Sequence, residues 1–438
     1  YDDFQGTVHT VGAYLAYSRA GFLRNRQDHR VTHEETFSLG ELRVHLLEWQ
    51  RTPLPLPETD RFHYAKAVVV KNSREVYTLL FKSDKPLQHH REIIDSFQLT
   101  RTIAAPGIHA RYTPVERDWQ ETTREFYRHY FLENETMAWG IFEPAAPADF
   151  SRLFQLEDQL AYEFSFLLMY KNLDSTFPRR ELENARAQGR HVVLSLHTEK
   201  REAAANQRSF YPVLEGVYDH QLEAFAQGLK EFGDPVLFRL NNEMNGDWCV
   251  YSSYYASMDT ELFTALWQYV HRYFENAGVD NVIWVWNPHD LSFPGFAWNH
   301  WLNYYPGDDY VDIIGLTGYN PGTYFTGETW RPFNEIYPSL YSQKTRLFSH
   351  PLMIPEFGSN SVGGDKAAWI RDMFRQMPLY QQIRVAIWWN GIDWDSQGNP
   401  GRIYQLDETP ETLEAFRQGL SETKPPPLFP AAAGNEPP

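Results

Sequence analysis

The sequence predicts an α/β chain: a (β/α)8 TIM barrel preceded by a small α+β N-terminal domain. Two observations carry this. From about Met137 onward, eight short apolar runs alternate with amphipathic helical stretches, the pattern of buried parallel strands with crossover helices. Residues 1 to about 116 lack that alternation and carry closely spaced strand-like runs instead. At 438 residues the chain has room for both units.

In the first unit, residues 1–116, the runs Leu42–Trp49, Tyr64–Lys71 and Glu75–Lys82 read as strands, with Asn72-Ser73 as the turn between the last two. Pro86–Phe97 reads as a helix and Val115–Phe131 as a linking helix, the linking segment being assigned to 117–135 in the division into domains. No convergent set of chemical residues appears in this unit. Its expected role is to stabilise the barrel or to dock an envelope or protein partner.

The barrel is assigned to 136–422. Its eight strand-like runs are Ala138–Phe142, Phe164–Tyr170, His191–Leu196, Val236–Leu240, Val282–Trp286, Val311–Leu316, Leu352–Pro355 and Val385–Trp389. Between them, Leu222, Phe225, Leu229 and Phe232 share one helical face, as do Leu262, Leu266 and Val270, and later Trp369, Met373 and Met377. The remaining 423–438 is so dense in proline that it excludes helix and sheet and reads as an extended tail.

Composition narrows the function classes. The formal net charge of −17, with no Lys/Arg-dense segment to offset it, argues against a nucleic-acid partner. No apolar run reaches the 18 or so residues of a membrane span. Cys249 is the only cysteine, which excludes an intrachain disulfide and a multi-cysteine zinc site; it reads as a buried structural thiol. Residue 1 is tyrosine with no charged-then-apolar segment after it, so an export signal is expected upstream and the location expected is extracellular or cell envelope. Aromatic residues make up 16% of the chain, more than a core alone needs, and flat sugar faces stack on such rings.

Two glutamates carry the chemistry. Glu243 and Glu356 each stand where an apolar run stops, at the ends of the fourth and seventh strands. A lone carboxylate there is costly unless it is paired or has a chemical task, and barrel active sites sit at this C-terminal face. Glycoside hydrolysis needs such a pair: one carboxyl to protonate the leaving oxygen, a second to attack or to activate water. Arg239 lies four residues before Glu243 and shares its strand parity, so it is the candidate for holding Glu356 ionised, with Tyr319 donating a hydrogen bond. Asn242, His197, Trp248, Tyr319, Trp388, Trp389 and Trp301 supply the polar and aromatic lining a sugar would need. Trp298 and Trp330, in loops, are further ring platforms. His289-Asp290 and Asp308-Asp309 lack metal-site spacing. Gly358–Gly363 has the glycine spacing of a phosphate loop, but Gly364-Asp365 stands where Lys-Ser/Thr is required. No metal and no cofactor are therefore expected.

The stretches Asn242-Glu243-Met244-Asn245-Gly246-Asp247-Trp248, Tyr305-Pro306-Gly307-Asp308-Asp309-Tyr310-Val311-Asp312-Ile313-Ile314-Gly315, Pro355-Glu356-Phe357-Gly358 and Gly363-Gly364-Asp365-Lys366 resemble the family 26 glycoside hydrolases, best known as β-mannanases. The resemblance spans roughly 136–420. It implies a retaining endo-β-glycanase with the strand-four glutamate as acid/base and the strand-seven glutamate as nucleophile. That family usually has histidine directly before the acid/base, whereas this chain has Asn242, the residue of the wider clan, where it bonds the sugar 2-hydroxyl. β-Glucan, β-xylan or an exopolysaccharide therefore stand beside β-mannan as expected substrates. The competing reading is a catalytically weak carbohydrate-binding protein using the same groove.

Overall fold

The computed structural model describes residues 1–4, 8–100, 111–199, 208, 210–423 and 429. The expected tail at 423–438 falls almost wholly outside them. Eight parallel strands close into a barrel: Ala138–Phe142, Phe166–Asn172, His191–His197, Val236–Leu240, Val282–Trp286, Ile313–Gly315, Leu352–Phe357 and Ile383–Trp389. Closure is made where the eighth strand pairs with the first, Val385 opposite Ala138.

Strand periodicity sorts the side chains. Phe166 and Leu168, Val193, Leu237, Ile283 and Val285 point into the barrel and pack on one another, while the alternate residues pack outward against the helices. The expected helical faces are the buried faces of the helices Asp219–Phe232, Thr260–Asn276 and Lys366–Gln376.

The linking helix begins later than expected, as an α-helix over Glu121–Tyr127 that widens into a π-helical turn over Arg128–Glu133. Phe126, Tyr127, Tyr130 and Phe131 join the interior cluster. Trp119 Nε1 donates to the Val282 carbonyl at 2.9 Å and the Tyr127 hydroxyl to the Asp312 carbonyl at 3.1 Å, at the starts of the fifth and sixth strands. The segment thus stoppers the N-terminal end of the barrel, leaving the opposite end for a site.

The N-terminal unit is a five-stranded antiparallel sheet. Beyond the three expected strands it contains His29–Leu39, a long partner to Leu42–Arg51, and the two-residue Asp2–Asp3 at the far edge. A helix over Val11–Arg24, missed in the sequence, starts at Thr10, whose hydroxyl caps Ala13 N at 3.1 Å. The helix expected over Pro86–Phe97 is confined to His90–Asp95. It covers one face of the sheet. The other face lies on the Val11–Arg24 helix and on barrel loops: Trp49 and Tyr64 stack at 5.1 Å, Phe22 stacks on Trp49, and Met258 of the barrel completes the cluster. Burial of each such side chain contributes about 1.5–3 kcal/mol. Trp49 Nε1 also donates to Ser257 Oγ at 3.1 Å, and the Tyr64 hydroxyl to Asp259 at 2.8 Å.

Candidate active site

The open end of the barrel brings Glu243 and Glu356 together, with different surroundings. Glu356 is 3% exposed. Its Oε2 accepts from Arg239 Nη2 at 2.8 Å and from the Tyr170 hydroxyl, and its Oε1 from Asn242 Nδ2 at 3.3 Å. Arg239 is fully buried, as strand parity required, and its remaining donors go to Ser195 Oγ and to Asn287 Oδ1, the latter at 2.9 Å. A buried carboxylate with a buried guanidinium and two further donors is compensated as an anion.

Strict alternation along Leu352–Phe357 would turn Glu356 outward, because Met353 already faces the interior. A register shift between Ile354 and Phe357 places one extra residue opposite the eighth strand. This bulge re-aims Glu356 inward and sends Phe357 to the outer core.

Glu243 sits in a left-handed turn, with φ 55° following φ 47° at Asn241. Asparagine tolerates this region and glutamate does so only when the surroundings impose it. Here Glu243 N donates to the Asn287 carbonyl at 2.8 Å and Gly246 N to the Glu243 carbonyl at 2.8 Å. The Glu243 carboxylate accepts from Trp248 Nε1 at 3.4 Å and lies 3.9 Å from His289 Nε2. Burial first, and then the charge of Glu356, push its carboxyl up to about 7, while His289 and Arg239 pull the other way. One carboxyl is therefore set up to carry a proton near neutrality while the other is surrounded by donors that favour the anion.

Asn287 serves both glutamates: its side chain accepts from Arg239, and its carbonyl holds the Glu243 turn. Asn242 accepts from His197 Nε2 at 2.8 Å, so histidine, asparagine and Glu356 form one chain. Trp248 is 49% exposed, held edge-on by His289 at 5.3 Å and beside Phe293 at 5.3 Å. A Cβ on Gly246 would fall 2.5 Å from the indole, so the ring can lie there only over glycine. Trp389 stacks on Phe142 at 5.1 Å and stands edge-on to Tyr319.

Several candidates fall elsewhere. Trp388 is fully buried on the outer face of its strand, against Phe357, Trp369 and Phe416, with Nε1 bonded to the Tyr404 carbonyl; two adjacent strand residues cannot both face the interior. Trp301 is buried beneath the Lys344 side chain, against Trp286 and Phe348. The loop carrying it forms short 3-10 turns over Ala297–Asn299 and Trp301–Tyr304. Trp298 packs into the N-terminal clusters and Trp330 onto the barrel core. Tyr319 is near Glu356, but the bond expected from it is made by Tyr170. Tyr170 has the inward parity of Phe166 and Leu168; the signal in the sequence was its place at the end of the second strand-like run. Asn287 was also missed, although it directly follows the fifth strand, and His289, read above only for metal-site spacing, stands beside Glu243. Cys249 is buried, its thiol pushed up by burial. Among the described residues no group of three His, Cys, Asp or Glu is arranged to hold a metal ion.

A family model described as Glycosyl hydrolase family 26 matches residues 184–345. Endoglucanase H of Acetivibrio thermocellus is 30% identical over 210 residues, 47% of this chain and 22% of that protein. A mannan endo-1,4-beta-mannosidase of Bacillus subtilis is 37% identical over 180 residues, 39% of this chain and 42% of that protein. The chain thus spans less than half the length of either relative. Among solved structures, a modular endo-beta-1,4-mannanase from Cellulomonas fimi shares the fold with a TM-score of 0.52 at 17% identity, over 71% of this chain and 76% of that one.

Proposed function

We propose, from the premise that the chain belongs to glycosyl hydrolase family 26, that it cleaves internal β-linkages of a neutral polysaccharide with retention of anomeric configuration. The observation that carries this is the unequal treatment of two glutamates at one barrel mouth: Glu243 raised to about 7, Glu356 encased by Arg239, Tyr170 and Asn242. In the first step the Glu356 carboxylate attacks the anomeric carbon while Glu243 gives its proton to the departing glycosidic oxygen. In the second, Glu243 takes a proton from water, which displaces Glu356.

Asn242 sets the substrate within this reading. Its amide already points at Glu356, where an equatorial 2-hydroxyl of a glucose or xylose unit would meet it. β-Glucan or β-xylan is then turned over faster than β-mannan, whose 2-hydroxyl is axial. Trp248 and Trp389 supply flat faces for the flanking sugars.

The test is a panel of β-glucan, β-xylan and β-mannan with two variants. Glu356→Ala loses turnover on every substrate. Glu243→Ala loses polysaccharide hydrolysis but keeps an activated aryl glycoside, and azide accelerates it to a β-azide product. Near-full polysaccharide activity in Glu243→Ala, or an inverted first product by NMR, overturns the roles. Mannan as the fastest substrate overturns the part given to Asn242.

A further inference from the structure

The helix Val11–Arg24 lies against the two barrel loops that hold Trp248. Tyr14, Tyr17 and Gly21 lie along one face at helical spacing. The Tyr17 hydroxyl donates to the Asp247 carboxylate, the residue directly before Trp248. Its ring stacks on Tyr254 at 5.3 Å and stands edge-on to Phe296 at 6.2 Å. Tyr14 meets Phe296 at 4.6 Å, and Asp2 accepts from Ala297 N at 2.6 Å. A Cβ on Gly21 would fall 2.3 Å from the Tyr254 carbonyl, so the helix seats this closely only because that position is glycine. Both loops are therefore gripped from the N-terminal unit: the one after the fourth strand at Asp247 and Tyr254, and the one after the fifth strand at Phe296 and Ala297. Within the barrel the same loops are tied to each other by Phe293 N on the Asn245 carbonyl at 2.8 Å and Asn299 Nδ2 on that carbonyl at 2.9 Å.

We propose that Tyr17 is a positioning residue for the acid/base: through Asp247 and Phe296 it fixes the turn that carries Glu243 and Trp248, so the N-terminal domain is a working part of the barrel's active site. This rests on the acid/base reading of Glu243. Loosening the turn displaces the carboxyl from the leaving oxygen, and a small misplacement is expensive in rate. The effect on kcat/KM appears where proton donation limits the first step and vanishes where the leaving group needs no proton.

The experiment uses the full chain with Tyr17→Phe, which keeps the ring and removes the donor. Arg19→Ala is the control, since Arg19 pairs with Glu34 within the N-terminal unit. Tyr17→Phe is expected to lower kcat on polysaccharide about tenfold with KM little changed, to shift the basic limb of the pH profile, and to leave kcat/KM on a dinitrophenyl glycoside, which reports the first step alone, within about twofold. Asp247→Leu does the same, whereas Asp247→Asn, which keeps an acceptor, is milder. Equal losses on both substrates, or a fall in Tm with an unmoved pH profile, reduce Tyr17 to a structural contact and overturn the proposal. Glu243→Ala is measured alongside. If it discriminates between the two substrates and Tyr17→Phe does not, only the present inference fails; if Glu243→Ala does not discriminate, both fail.

Discussion

At the scale of the residue, the raised Glu243 carboxyl has two measurable consequences. As the proton donor it must be protonated, so kcat/KM falls as pH rises through about 7. Replacing Glu356 with glutamine removes the like charge that raises it, and an NMR titration of Glu243 in Glu356→Gln should move to lower pH. The second consequence concerns stability. The ordinary carboxyl value is 4.5 and the folded value about 7, so between these the unfolded chain releases a proton that the folded chain retains. Stability is then lost as pH rises across that window, and the loss persists above it. Glu243→Gln should raise Tm at pH 8 and leave it unchanged at pH 4, with a gain of at most about 3 kcal/mol. A gain of equal size at both pH values would assign it to packing. The need for two carboxylates was legible in the sequence. Their different environments were not, because Tyr170 comes from the second strand and Asn287 and His289 from the loop after the fifth, segments that only the fold brings together.

At the scale of the element, strand parity decides which of two adjacent tryptophans meets substrate. Trp388→Ala opens a cavity among Phe357, Trp369 and Phe416 and should cost about 3–5 kcal/mol, with KM of the folded enzyme little changed. Trp389→Ala should do the reverse, raising KM on polysaccharide while Tm moves little. Denaturant titration with steady-state kinetics separates the two, and a KM effect confined to Trp388→Ala would refute the assignment. The barrel strands were legible because strands buried on both faces read as continuous apolar runs. That same continuity hides parity, so the sequence could not say which of Trp388 and Trp389 faces in. Nor could it show the bulge before Glu356, since an extra strand residue leaves no mark in composition. The Val11–Arg24 helix escaped notice for another reason: its buried face is built from Tyr14, Ser18, Gly21 and Phe22, not from the leucines and valines that make a helical stripe conspicuous.

At the scale of the whole molecule, the N-terminal sheet and the barrel share one core boundary. Trp49, Tyr64 and Phe22 are buried in one cluster with Met258 of the barrel, and Lys82 pairs with Asp259 across the same boundary at 2.9 Å. Calorimetry of the full chain should therefore show one cooperative transition, with Trp49→Ala lowering it as a unit. Two resolved transitions would mean that the units melt independently. The boundary also has a history in time. The sheet's apolar face is complete once residue 83 has been made, yet the residues that cover it, Ser257, Met258, Phe296 and Trp298, are encoded some two hundred positions later. At translation speeds of about 5–20 residues per second, the ribosome needs roughly 10–40 s to supply them. During that interval the nascent chain carries an uncovered aromatic surface. A holding chaperone at this stage, or faster translation of the stretch that follows residue 83, should therefore raise the yield of active protein.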